Sequence, residues 1–397
     1  MTGEPPAPSD AWPDQAGRTD RASRAERTER AERTERAVTD RSLRRLWAIP
    51  ATALGLNSSP PSLSRRVFLS WNYWWQAHLL DCLVDAEIRD PRPARRHRII
   101  ALVRGIRIRN LSGWTNRYYD DMSWLGLAMQ RCDDRLGTDH GPAIRRLTDE
   151  ILSAWSEREG GGIPWRRADE FKNTPANGPA AILLARTGHL DRAVATVDWI
   201  DARLRDPDTG LIWDGLRPGQ IEKVVYGYCQ GVVLGAEVEV SSRTYGPRDR
   251  IHRLVAAVEG QLSSGSGVLA GHAGGDSGLF TGILARYLAL VAVGLTGSDA
   301  ADVTSRSVAR RLVLESAAAA WSNAAFVDGG PLFGADWSRP AAPPSEHGRD
   351  RRPERDLSVQ LSGWMLMEAA AALDDWRLST DVRRPQAGSV VRSRNTA

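Results

Sequence analysis

SGLFTGILARYLALVAVGLT, residues 277–296, carries a single charge, Arg286, in twenty positions. A segment this apolar either crosses a bilayer or lies buried inside a protein. Its uninterrupted apolar part, Leu279 to Leu295, is short for a span and has Arg286 at its middle, where a charge in lipid is costly. The expectation is a buried core helix. A helix apolar on every side must be covered on every side, so the rest of the chain has to supply the cover.

It does so in a regular way. Val67 to Leu80 has no charge, Val224 to Ala236 has none, and Leu357 to Leu373 has only Glu368. Between such stretches lie one-faced helices. In 248–262, Ile251, Leu254, Val255, Val258 and Leu262 share one face. In 189–205, Leu190, Ala193, Val194, Val197 and Leu204 do the same. The pattern predicts twelve helices: one before Pro50, then 66–87, 95–109, 119–136, 142–157, 174–187, 189–205, 221–240, 248–262, 277–296, 303–322 and 356–376. No run alternates with period two for long enough to require a strand. Six all-round apolar helices alternating with six amphipathic ones predict an all-α (α/α)6 barrel, an inner ring covered by an outer ring. Two stacked helical bundles are the alternative.

The flanks differ from this frame. Residues 1–15 are polar and Pro-rich and read as a disordered tail, and the basic segment 381–397 reads as another. Residues 16–380 form the single predicted domain. Ala25 to Arg36 repeats AERTER twice, with Glu26–Arg30, Glu29–Arg33 and Glu32–Arg36 in the helix-supporting order. That helix is expected to dock through Val38, Leu43, Leu46 and Trp47. The Arg-rich stretch 342–355 has no assigned role.

Bulk properties exclude several classes. The chain has 53 basic and 49 acidic residues, interleaved, which argues against nucleic-acid binding. Three scattered cysteines and seven histidines with no HxxxH pair give neither a disulfide framework nor a metal site. The first residues contain no apolar signal segment, so a cytoplasmic location without stable membrane insertion is expected. Fifteen tryptophans against five phenylalanines suit stacking on sugar rings as well as core filling.

The polar residues of the apolar helices cluster at their N-terminal ends. These are Trp75 and Gln76; Tyr119, Asp120 and Asp121; Asn173 and Asn177; Gln230; Asp276; and Gln360. In an alternating barrel those ends meet at one mouth. Capping accounts for Asn173 and Asp276 equally well. Gln76, Gln230 and Gln360 lie inside the helices, where capping offers no explanation. Of the three Asp-Asp doublets, Asp133-Asp134 and Asp374-Asp375 sit late in their helices. Only Asp120-Asp121 opens an inner one. Two carboxylates at such a place fit glycosidic cleavage, which needs an acid and a nucleophile or base. The separation is about 5–5.5 Å in retaining enzymes and roughly 6.5–9.5 Å in inverting ones.

The segments WNYWWQAHLLDCLVDAE (71–87), NRYYDDMSWLGLA (116–128), NTPANGPAAILLAR (173–186), DPDTGLIWDG (206–215), YGYCQGVVLGA (226–236), GGDSGLFTGILARYLALV (274–291) and LSVQLSGWMLMEAAA (357–371) resemble glycoside hydrolase family 76, the endo-α-1,6-mannanases. The resemblance spans roughly Leu43 to Trp376. It implies an (α/α)6 barrel that cleaves α-1,6-mannosidic linkages with retention. Asp120 would then be the nucleophile and Asp121 the general acid/base, with no metal or organic cofactor. It implies a mannan substrate, such as the backbone of an actinobacterial-type lipoglycan. Trp75, Tyr119, Trp124, Asn173, Asn177, Asp214, Gln230 and Asp276 are the candidate substrate-binding residues. Met122 and Ser123 depart from the Asn, then Ala or Ser, that some members carry after the Asp pair, which bears on subsite preference. Fungal relatives that act as transglycosidases keep transfer open, and a non-catalytic carbohydrate-binding barrel is the remaining alternative. A sugar epimerase would want a His pair in the cleft, and His78 and His272 are the only candidates.

Overall fold

The computed structural model describes residues 12–111, 113–328, 330–343 and 352–373. The expected tail 381–397, most of 1–15 and of the Arg-rich stretch, and the doublet Asp374-Asp375 lie outside them. In chain order the helices are α1 (Trp12–Ser42), α2 (Leu63–Arg66), α3 (Tyr73–Arg89), α4 (Pro93–Arg109), α5 (Tyr119–Leu136), α6 (Gly141–Ser153), α7 (Thr174–Arg186), α8 (Leu190–Leu204), α9 (Gly227–Thr244), α10 (Asp249–Gln261), α11 (Phe280–Gly294), α12 (Ala300–Ser322) and α13 (Leu357–Ala372). Short strands join them: β1 (Leu43–Arg44), β2 (Leu54–Gly55), β3 (Lys172–Asn173), β4 (Trp213–Arg217), β5 (Gln220–Val225), β6 (Ala325–Val327) and β7 (Gly330–Leu332).

The apolar helices close a ring. Packing runs α3 to α5, α7, α9, α11, α13 and back to α3. The others lie outside it: α1 on α13 and α3, α4 on α3, α6 on α5, α8 on α7 and α9, α10 on α9, and α12 on α11 and α13. This is the (α/α)6 barrel that the alternation predicts. Residues 275–294 are long and apolar enough to cross a membrane, yet most of the segment is buried inside the barrel.

Three boundaries differ from expectation. The helix expected from 221 begins at Gly227, because 213–225 is a β-hairpin. Pro218 and Gly219 make its turn, Gly219 at φ 75°, and Leu216 pairs with Ile221. The helix expected from 66 begins at Tyr73, because Phe68 takes a left-handed φ of 56° that no helix accepts. The first helix ends at Ser42, so Val38 and Leu46 are buried as expected while Trp47 stands 48% exposed.

Four amides inside the apolar helices have one common use. Each is the fourth residue of its helix, and each clasps both polar groups of one loop residue, as a β-strand partner would. Gln76 accepts from the Gly55 N–H at 2.7 Å and donates to its carbonyl at 3.0 Å. Asn177 does this for Ile163, both at 2.8 Å. Gln230 does it for Ile212 at 2.7 and 2.8 Å, and Gln360 for Phe333 at 3.1 and 2.9 Å. A buried loop has no water for its backbone, so each clasp supplies what secondary structure otherwise would.

The lower half of the ring holds charge. Asp81 and Asp85, one turn apart on α3, are both bridged by Arg131 of α5 and by Arg286 of α11, the latter at 2.6 Å to each. Burial raises the pKa of Asp81, but Arg131 and Arg286 overcompensate and hold it at about 2. A cavity of about 180 Å³ lies beside this tetrad in the C-terminal halves of the inner helices. Of its further charges, Glu368 pairs with Arg89 and Arg186 with Glu239.

Arg286→Ala leaves two shielded carboxylates to one guanidinium and should cost about 3 kcal/mol in denaturant unfolding. Gln230→Leu strands the Ile212 N–H and C=O and should cost about 2 kcal/mol in the same measurement, while Arg66→Ala, exposed on the surface, should cost almost nothing.

Candidate active site

Asp120 and Asp121 are the second and third residues of α5, and both are partly buried. The helix start is tied down by backbone: the Tyr119 N–H donates to the Trp165 carbonyl at 2.9 Å, and Tyr118 bridges Arg166. The same segment delivers the Trp165 indole, whose Nε1–H donates to Asp120 Oδ2 at 3.0 Å. The other oxygen, Oδ1, is shielded from solvent and has no hydrogen-bond partner among the described residues. Asp121 Oδ2 accepts from the Asn116 side chain, and Asn116 is itself fixed because its Oδ1 accepts from the Tyr118 N–H at 2.8 Å.

The pair is electrostatically divided. Burial raises the pKa of Asp120, while the Trp165 indole and local backbone N–H groups pull it back. Burial also raises Asp121, and the Asp120 charge raises it further. Asp276 adds to both, and no cation is among the groups that set either. Asp120, raised to about 7, is the easier of the two to ionise, and its charge then holds the proton on Asp121 more tightly.

Asp276 is exposed on the short 3₁₀ turn before α11. Its Oδ1 accepts from Asn72 at 3.2 Å, Trp74 Nε1 at 3.1 Å and Trp75 Nε1 at 2.9 Å. It thus ties the start of α3 to that of α11 across the mouth. Aromatic rings wall the space. Tyr228 stacks on Phe280 with centroids 3.8 Å apart and planes 9° from parallel, and His272 meets Phe280 edge-on. Burial raises the Tyr228 hydroxyl, and the Asp120 charge contributes; for Tyr73, burial and then Asp121 do the same. Asp214, on β4, has its pKa raised to about 6 by burial and by Glu222, with the Cys229 thiol opposing.

The sequence-predicted residues divide in two. Asp120, Asp121, Trp75 and Asp276 are brought together. Asp214 lies beside Cys229 and Tyr226, part of the same aromatic wall. Five others have different work. Asn177 and Gln230 are fully buried, and their amides are engaged on Ile163 and Ile212. Asn173 is the N-cap of α7 and accepts from the Ala176 N–H at 3.2 Å. Tyr119 is buried, its hydroxyl influenced by Arg167 and Glu150 after burial itself, on the α6 side. Trp124 packs one turn below the pair against His78, centroids 4.4 Å apart, and lines the lower cavity. These correct the expectation that the whole set faces the cleft. Buried amides must satisfy their own polar atoms first, and here loop backbone does so.

Sequence reasoning places Tyr73 and Tyr228 at the aromatic mouth without a role, and missed Trp165 and Asn116. Trp165 lies in the 158–172 connection, where no periodicity gives a side chain a direction. Among the described residues no group of three His, Cys, Asp or Glu side chains could hold a metal ion.

Adjacent carboxylates with divided protonation, in the aromatic-walled mouth of an (α/α)6 barrel, define a glycoside hydrolase. The family model "Glycosyl hydrolase family 76" matches residues 56–374, and the chain belongs to that family. A family 76 α-1,6-mannanase from Salegentibacter sp. HEL1_6 superposes with a TM-score of 0.75 at 29% identity, over 88% of this chain and 100% of that one. An inactive variant of that mannanase, with two consecutive aspartates changed to asparagine, is known in complex with α-1,6-mannotriose (TM-score 0.76, 29% identity, 88% and 100% coverage). A Listeria innocua protein is similar at 25% identity and a TM-score of 0.74, over 87% and 97% of the two chains. None of the curated proteins matches the chain.

Trp165→Phe removes a donor that favours the Asp120 carboxylate. The pKa of Asp120 should rise by about one unit, so the acidic limb of the pH–rate profile should move to higher pH while the plateau keeps the same order. A profile unchanged in its acidic limb would remove Trp165 from the account.

Proposed function

We propose that the protein cleaves α-1,6-mannosidic linkages with retention of configuration. Asp120 is the nucleophile and Asp121 the general acid/base. The ionised Asp120 attacks the anomeric carbon, the bond to the leaving oxygen breaks, and that oxygen takes the Asp121 proton. Asp121, now a carboxylate, draws a proton from water. The water oxygen attacks the same carbon and releases Asp120, and two inversions leave the α-anomer.

The observation that carries this reading is the divided pair, Asp120 steadied by Trp165 and Asp121 by Asn116. Support for the substrate comes from the related mannanase, whose inactive two-aspartate variant binds α-1,6-mannotriose. Adjacent helical residues also suit the shorter carboxylate separation that retention requires. Asp276, exposed at the mouth and held by the Trp74 and Trp75 indoles, belongs to the sugar-binding rim, and Asp214 adds a further polar group beside the Tyr226 ring.

Incubation with α-1,6-mannotetraose under proton NMR tests the reading. The α-anomer of the new reducing end should appear first, and mutarotation should follow. Asp120→Asn and Asp121→Asn should each lower kcat by at least about a thousandfold with the sugar still bound. An initial β-anomer would overturn retention, and sugar binding without cleavage by the wild type would overturn hydrolysis.

A further inference from the structure

The net charge of +4 hides an asymmetry. There is no Asp or Glu between Asp40 and Asp81, and none between Asp90 and Asp120. Those two segments carry thirteen arginines, so the interleaving of signs that holds elsewhere fails there. The fold then places them together. Ala53 donates to the Ala101 carbonyl of α4 at 2.8 Å, and Arg44, Arg45, His97, Arg98 and Ile100 border one shallow depression. The Trp47 indole donates to the Val67 carbonyl at 2.7 Å, and Arg109 donates to the Phe68 carbonyl at 2.7 Å. The loop after β1, the segment around α2 and the outer face of α4 therefore form one surface.

The same surface is unusually apolar. Eleven large apolar side chains are exposed among the described residues, and six of them are here: Trp47, Leu63, Val67, Leu69, Ile100 and Leu111. Leu63 is 80% exposed, Leu69 71% and Leu111 92%. Five positions hold left-handed backbone without glycine, Trp47 at φ 46°, Ala48 at 62°, Ala51 at 55°, Phe68 at 56° and Leu111 at 54°. Each such conformation costs roughly 1–2 kcal/mol. Trp47 and Leu111 are thus both strained and exposed, amid guanidinium groups.

We infer that this face adsorbs to an anionic lipid bilayer. Leucine and tryptophan side chains enter the headgroup boundary, and Arg65, Arg66, Arg98 and Arg104 meet lipid phosphates. The combination selects the partner. A nucleic acid would use the arginines but has no place for exposed leucines, and a sugar chain would use neither charge nor aliphatic side chains. Adsorption of this kind requires no spanning helix. The face also adjoins the cleft. The Arg109 guanidinium lies over Trp71, 5.1 Å from the ring centroid, and Trp71 is 5.7 Å from Tyr73 at the start of α3. Adsorption brings the cleft rim beside the lipid surface, where a lipid-anchored glycan would be reached. The lipid-binding inference itself stands apart from the sugar chemistry.

Co-sedimentation of the full chain with vesicles tests it. Binding is expected to phosphatidylcholine vesicles containing phosphatidylglycerol, to weaken as salt rises, and to be absent with phosphatidylcholine alone. Arg65→Glu/Arg66→Glu should weaken binding at least about tenfold, given roughly 1 kcal/mol per arginine near an anionic surface. Leu63→Ser/Leu69→Ser should weaken it severalfold at unchanged surface charge. Thermal melting of both variants should match the wild type, since all four residues lie on the surface. No pelleting with phosphatidylglycerol vesicles at low salt overturns the inference. So does binding that the leucine substitutions leave intact while duplex DNA is bound equally well, which would mark a general polyanion surface.

Discussion

A side-chain amide at the fourth residue of an inner helix, closed on both polar groups of a loop residue, is the interaction on which this barrel's upper end depends. Inner helices with no polar face can pack into a ring by burial alone. Burial says nothing about where the connecting loops go, and a loop pressed onto an apolar ring loses its water. Gln76, Asn177, Gln230 and Gln360 answer both needs at once. Two of the clasped residues carry the site with them. Ile163 is two residues from Trp165, and Ile212 is two residues from Asp214. The helix that bears the carboxylate pair has Met122 at its fourth position instead, and its start is held by the Tyr119 N–H on the Trp165 carbonyl. There the loop clasps the helix, and the first-turn side chains are left for chemistry.

Charge placement sorts the carboxylates by role. Asp81 and Asp121 both sit on inner helices, and burial alone would raise both. Around Asp81 two arginines more than cancel burial, so it is an anion at every working pH and acts as a strut between α3, α5 and α11. Around Asp121 the neighbours are an amide and two further carboxylates, so burial and repulsion add. An arginine beside the pair would fix both aspartates as anions and leave no acid for the leaving group. The cationic floor and the acidic mouth are therefore kept apart along one set of helices.

Much of this was legible in the sequence, for identifiable reasons. Helix period and charge-free runs report burial directly, so the ring, its order and its cover follow from them, and α5 begins and ends where its pattern says. The mouth was legible because polar residues in apolar helices are conspicuous. Their individual roles were not, because a buried glutamine looks the same whether it faces a ligand or a loop carbonyl. The hairpin at 213–225 was hidden in a run that reads equally as helix, although Pro218-Gly219 marks its turn. Trp165 was hidden more deeply, since a connection without period gives no direction to its side chains, and only the fold shows that it returns to Asp120.

The basic, leucine-studded face was hidden by averaging. Near-equal totals of acids and bases suggest a mixed surface, but the acids are committed locally. Glu35 and Glu87 hold Arg95, and Glu32 and Asp90 hold Arg92, all at the α1–α3–α4 junction. That junction needs acids because it buries arginines; the α2 segment and the outward side of α4 bury none beyond it and have no such need. Absence of acids there leaves the arginines to act together at long range. Exposed apolar residues in the same place have no folding reason either, since burying them would remove their hydration. Two features that each oppose stability therefore coincide on one face beside the cleft, and an interfacial partner is the single physical setting in which both become favourable.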